Sequence, residues 1–167
     1  MLLLETDRLK LCYMGTADAV FMLHLLNTPS YHKYIGDRNV RSVADAEAYI
    51  LNGTVKSYEK FGYSYYVVKT RTDDEPIGIC GLVNRESIGE IDIGFAFLPE
   101  HEGKGYGHES SSALMQWAKE KFGFKRIAGI TLETNLPSIR LLEKLGLTFD
   151  KKFMMDDEEL LLYARNF

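Results

Sequence analysis

Along the chain, apolar and polar positions change period several times, and each change marks an element. Arg8–Tyr13 (RLKLCY) alternates and reads as an opening strand. A helix capped by Thr16 follows, with Ala19, Val20, Leu23 and Leu26 recurring at helical spacing until Thr28-Pro29 ends it. Residues 30–40 (SYHKYIGDRNV) are aromatic and irregular and read as a loop, and a second helix is expected from about Ser42 to Lys60, interrupted at Gly53. Tyr63–Lys69 and Ile77–Asn84 are β-rich runs around a turn, the pattern of a hairpin. Arg85–Gly89 then turns the chain into Glu90–Phe97, where Ile91, Ile93, Phe95 and Phe97 fall on one face and Glu90 and Asp92 on the other. Pro99 stops this strand.

Gly103, Gly105 and Gly107 follow, leading through Ser110–Ser112 into a helix that carries Ala113, Leu114, Trp117 and Ala118 and ends at Gly123. Glycines just before a helix place unpaired N–H groups and the positive end of the helix dipole together, an arrangement that holds an anion such as a pyrophosphate. Phe124–Thr131 is apolar on both faces, as in a covered central strand. Asn135 opens a last helix with Pro137 in its first turn and Gly146 at its end, and strands Leu147–Met154 and Leu160–Tyr163 close the chain around the acidic turn Asp156–Glu159. The fold class is therefore α/β, in the α+β sense: a mixed, mostly antiparallel sheet of six to seven strands flanked by about four helices. One domain spanning residues 1–167 is expected.

Composition narrows the partners. Hydrophobic residues make up 46% and charged residues 26% of the 167, as in a globular protein, and the net charge of −4 argues against a general nucleic-acid binder while suiting a cationic substrate such as an amine. The apolar run Met1–Leu4 is too short for a signal peptide and no later run is long enough for a membrane span, so the cytoplasm is the expected compartment and no membrane partner is expected. Cys12 and Cys80 form neither a disulfide framework nor metal-ligand spacing, and no metal is expected.

Two phosphate-binding patterns are set aside. No G-x-x-x-x-G-K-[ST] is present, and Gly103-x-Gly105 is followed by His108 where a dinucleotide fingerprint needs its third glycine. Instead, Glu102-Gly103-Lys104-Gly105-Tyr106-Gly107 resembles the coenzyme A pyrophosphate loop Q/R-x-x-G-x-G/A of the GNAT N-acetyltransferase superfamily, with Glu102 at the Gln/Arg position. A second patch, Asn135-Leu136-Pro137-Ser138 with Leu141-Leu142-Glu143-Lys144-Leu145-Gly146-Leu147, is similar to the family's N-x-x-S…L-x-E-K-L-G-F segment. The resemblance covers almost the whole chain and is greatest to the Rim-type (RimJ/RimL) ribosomal-protein N-terminal alanine acetyltransferases.

That resemblance implies an acyl-CoA N-acyltransferase fold with splayed fourth and fifth strands. It also implies an acetyl-CoA-dependent N-acetyltransferase acting on a primary amine, either a protein N-terminus or a small molecule, by direct attack. Ala96, Phe97 and Leu98 would pair with the pantetheine arm. Gly103, Lys104, Gly105, Tyr106, Gly107 and His108 would hold the pyrophosphate, and Asn135 and Ser138 would contact the cofactor near its sulfur. For the proton acceptor, a carboxylate suits an amine substrate; Asp92 is the first choice and Glu90, on the same face, the second. Many relatives carry a tyrosine acid seven residues after the asparagine, where this chain has Leu142, so the leaving thiolate's proton falls to Ser138, another tyrosine or water. His101 and His108 read as catalytic bystanders. A catalytically weak acyl-CoA-binding module on the same fold is the alternative, and monomer or homodimer stays open.

Overall fold

The computed structural model describes all residues 1–167. One eight-stranded sheet runs through the molecule: β1 (Leu2–Glu5), β2 (Leu9–Tyr13), β3 (Tyr65–Thr70), β4 (Pro76–Arg85), β5 (Glu90–Phe97), β6 (Arg126–Thr131), β7 (Thr148–Met155) and β8 (Glu158–Asn166). Their spatial order is β1-β2-β3-β4-β5-β6-β8-β7, and every neighbouring pair is antiparallel except β5–β6. The count exceeds the expected six to seven because Leu2–Glu5 pairs with β2. Its four residues are too few to show a period, so only the partner strand defines them.

Five helical runs flank the sheet: α1 (Ala19–Leu26), α2 (Pro29–Tyr34), α3 (residues 43–61), α4 (Tyr106–Phe122) and α5 (Leu136–Lys144). α2 lies where the sequence suggests a loop. Pro29 fits the first helical position, and Tyr31 turns into the core, 7% exposed. α3 is continuous from 43 to 61, but in three pieces: α-helical Val43–Tyr49, a π turn Ile50–Val55, and α-helical Lys56–Phe61. Gly53 thus widens the helix instead of ending it. α4 begins at Tyr106, ahead of the three serines. Gly105 takes a left-handed conformation just before it, and Ser110 bonds back to the Tyr106 carbonyl at 2.8 Å, which lets a buried serine sit inside the helix.

Each face of the sheet buries its own core. On one side Leu114, Met115 and Ala118 of α4 and Leu142 and Leu145 of α5 pack on Leu9, Leu11, Tyr66, Cys80, Leu82, Ile93 and Ile127. On the other, Met22 and Leu25 of α1, Tyr31, and Ala46 and Ile50 of α3 pack on Val67 and Ile79. The period of β5 divides its residues between these layers, so Ile93 enters the first core while Asp92 faces the second layer.

Candidate active site

The parallel neighbours β5 and β6 share a single paired position, Asp92 with Ala128. Past it the strands part. Residues 93–97 stay paired with β4 throughout, so their other edge is left without a strand partner. Ala96 and Phe97 lie at the end of this wedge; Leu98, expected with them, is not free to pair with a ligand, because its N–H donates to the Ile77 carbonyl at 2.9 Å, its carbonyl accepts from the His101 N–H at 2.9 Å and its side chain is buried. Asp92 stands at its root.

Beyond the wedge the chain makes a short turn, Pro99–His101, and reaches the glycines. Gly103 (φ 73°) and Gly105 (φ 81°) both need the left-handed region, which explains glycine at these two positions. No intramolecular partner takes the backbone N–H groups of residues 103–108. A Cβ on Gly103 would meet nothing within 4 Å, so the concave side of the loop is open. Six free donors, the N-terminus of the 17-residue α4 and the exposed Lys104 fit a pyrophosphate. Glu102 is exposed and has no ion-pair partner. Gly107 has a different reason to be glycine: a Cβ there would lie 2.8 Å from Leu141 Cδ2, so it sets how closely α4 approaches α5. His108 is partly buried in the first turn of α4, and His101 lies 3.8 Å from Glu75.

The far side of the loop is braced by residues that sequence reading missed. Arg8 donates from Nη1 to the Lys104 carbonyl at 2.9 Å and from Nε to Glu109 at 2.7 Å, and its guanidinium lies 4.6 Å above the Tyr106 ring. Thr6 and the Arg8 backbone N–H also donate to Glu109. Although burial opposes it, these bonds hold the Glu109 carboxyl below its ordinary range. Arg8 and Glu109 are 101 residues apart, so no local motif announces the clamp.

Asn135 caps α5, its side chain accepting from the Ser138 N–H at 3.4 Å. Asn135 and Ser138 are thus held together at one helix start, and both are partly exposed. Leu142, at the position of the relatives' tyrosine, is 1% exposed and packed against the Gly129 backbone. No hydroxyl is available there.

The two carboxylates of β5 differ. Glu90 is bound by Arg126, which also pairs with Asp150 at 2.8 Å. Asp92 is 3% exposed; Arg85 Nε reaches its Oδ2 at 3.2 Å, while Oδ1 is buried with no partner. Burial raises its pKa to about 6, with Arg85 opposing. An orphan oxygen on a buried acid costs stability, so such a group usually has a partner the protein alone does not supply.

Tyr65 completes the site and was not singled out by sequence reading. Cβ atoms on Gly81 and Gly94 would lie 2.6 Å from its Cδ1 and 2.5 Å from its hydroxyl, respectively. The ring therefore lies across these two glycines, from β3 over β4, and brings the hydroxyl to β5 two residues beyond Asp92. Burial and then the Asp92 charge push its phenol well above its ordinary pKa, so it is protonated at neutral pH. The signal in the sequence was the glycine at the centre of each of two adjacent strands, a pattern that marks close approach.

Known proteins resemble this chain in sequence and in fold. The family model described as an acetyltransferase (GNAT) domain matches residues 8–148. The Bacillus subtilis protein YkkB is 26% identical over 97% of this chain and 94% of its own length. The uncharacterized N-acetyltransferase YjdG of the same organism is 30% identical over 91% of this chain and 93% of its own. RimL, a ribosomal-protein α-N-acetyltransferase solved in complex with coenzyme A, superposes with a TM-score of 0.85 at 15% identity, covering 99% and 98% of the two chains. At that identity the likeness is one of fold.

Proposed function

Because this chain belongs to the GNAT acetyltransferase family and is an acetyl-CoA-dependent N-acetyltransferase, we propose that Asp92 is its proton acceptor and Tyr65 its proton donor, acting on a primary amine bound at the root of the β5–β6 wedge. The orphan Oδ1 of Asp92 carries this reading. Acetyl-CoA supplies the thioester carbonyl that the free amine attacks, forming the N–C bond as the C–S bond breaks. The N–H groups of residues 103–108 and Lys104 hold the pyrophosphate. The open edge of β5 at Ala96 and Phe97 pairs with the pantetheine arm and orients the carbonyl, and Asn135 and Ser138 stand near the sulfur end.

With a pKa near 6, Asp92 is ionised at neutral pH yet more basic than an ordinary aspartate, which suits a proton acceptor. It accepts the amine's proton directly or through one water. Tyr65, kept protonated by burial, donates to the departing sulfur and is reprotonated from solvent. Glu90 has the weaker claim because Arg126 already occupies it. The acceptor class remains a protein N-terminus or a small-molecule amine. Tyr65→Phe tests the donor: thiol release followed by a chromogenic reagent should show kcat about 10²-fold lower, with the KM for acetyl-CoA changed much less. An unchanged kcat would return the proton to Ser138 or water.

A further inference from the structure

A cavity of about 620 Å³ opens between α3 and the sheet, lined by Arg38, Tyr49, Asn52, Ser57, Tyr65 and Val83 among others. Val83 pairs directly with Asp92, and Tyr65 forms part of both the cavity and the site described above. The volume suits a small molecule. We propose that this cavity is the specificity pocket for the acceptor, and that Arg38 there binds an anionic oxygen group, carboxylate or phosphate, carried by the same small amine. The inference rests on the acetyl-transfer reading and specifies its substrate class.

Arg38 has charge to offer and no carboxylate to receive it. Its sequence neighbour Asp37 is taken by Arg41, with His32 3.8 Å away. The one acid lining the cavity, Asp45, accepts the Arg41 N–H at 2.9 Å and stands at the Ser42 cap of α3. Arg38 is solvent-exposed and makes no ion pair within the chain, and apart from Asp45 the residues that share the cavity with it are uncharged, the Tyr49 and Tyr65 phenols among them. Those phenols accept few hydrogen bonds, whereas a guanidinium presents five donors in a planar fork that matches a carboxylate or phosphate. A guanidinium on the wall of a cavity, open to solvent and without a counter-ion, can recognise an anion.

The loop that carries Arg38 is also built to hold one shape. Asn39 takes φ 57° and donates its N–H to Asp37 Oδ1 at 2.8 Å. Arg41 donates to Asn27 Oδ1 at 2.9 Å, Asn27 donates to the Val40 carbonyl at 2.9 Å, and Val40 is buried. Arg38 is thus flanked on both sides by anchored residues. Tyr65 lines the cavity together with Arg38, and its hydroxyl reaches Gly94, two residues beyond Asp92, so its ring joins the base to the anion subsite. A substrate spanning that interval has its amine at Asp92 and its negative group at Arg38.

The test compares matched amines on the full chain by thiol release: an α-amino acid against its carboxamide, an aminoalkyl phosphate against the aminoalkyl alcohol, and an uncharged, C-terminally amidated peptide. The anionic member of at least one pair should have a kcat/KM about 10- to 100-fold above its neutral partner, and the pair that shows it tells carboxylate from phosphate. Arg38→Gln should collapse that ratio toward one, chiefly through KM, and Arg38→Lys should keep part of it. A ratio unchanged in Arg38→Gln, or the neutral peptide as best substrate, overturns the proposal. A second readout needs no turnover. The carboxylic acid or alkyl phosphate lacking the amine should raise the unfolding midpoint of the wild type and not of Arg38→Gln. If that shift occurs while no amine is acetylated, the anion subsite stands and the catalytic reading falls; acetylation with no Arg38-dependent selectivity or shift gives the reverse.

Discussion

Asp92→Asn should lower kcat/KM at pH 7.5 by about 10²- to 10⁴-fold, equivalent to about 3–5 kcal/mol of transition-state stabilisation, while acetyl-CoA binding stays within a few-fold. The substitution keeps the shape of the side chain and removes the basic oxygen. Arg85 loses an ionic partner, but it is 31% exposed and can turn to water, so the fold should tolerate the change. The pyrophosphate loop lies beyond the end of β5 and its donors are backbone groups, which explains why binding and turnover should separate. Steady-state thiol release together with calorimetric titration of acetyl-CoA checks both halves. Turnover within threefold of wild type would remove Asp92 from the role.

Leu142→Ala should cost about 2–5 kcal/mol of stability and lower the unfolding midpoint by roughly 10 °C. Leu142 is 1% exposed, and a Cβ on Gly129 would come within 2.4 Å of its Cδ2, so the side chain lies directly on the backbone of β6. Neither neighbour can collapse far: Gly129 has no side chain, and its strand is pinned by six paired positions to β8. Thermal or urea unfolding reads the change. A loss below 1 kcal/mol would mean that α5 is held by other contacts, and that the position could yield to a tyrosine as in many relatives.

Most elements of the fold were legible because their periods are long and regular. β4, β5, α4 and α5 each carry a clean pattern closed by glycine or proline, and the parallel β5–β6 pair follows from the crossover helix between them. β1 and α2 were not, since four and six residues hold too little pattern and Tyr31 commits α2 to the core only through partners distant in sequence. The pyrophosphate loop could be read from its glycines, although Gly107 turned out to serve helix packing. Glu90 and Asp92 looked alike on the same face. Only the tertiary structure separates them, giving Arg126 to one and leaving an oxygen of the other unpartnered. Tyr65 was hidden for the same reason: in a run of aromatic residues, only the glycines opposite distinguish a ring lying across the sheet from Tyr66, which points into the opposite core.

The measurement that bears most directly on this account is the ratio of kcat/KM for wild type to that for Asp92→Asn, followed from pH 5 to pH 9 with one amine substrate. Taking the ratio cancels the amine's own titration. A base is competent only when ionised, and the Asp92 pKa is raised to about 6. The ratio should therefore be level above about pH 7 and fall tenfold per unit below about pH 6. A ratio that stays flat across the range would contradict Asp92 as the proton acceptor and, with it, the placement of the chemistry at the root of the wedge.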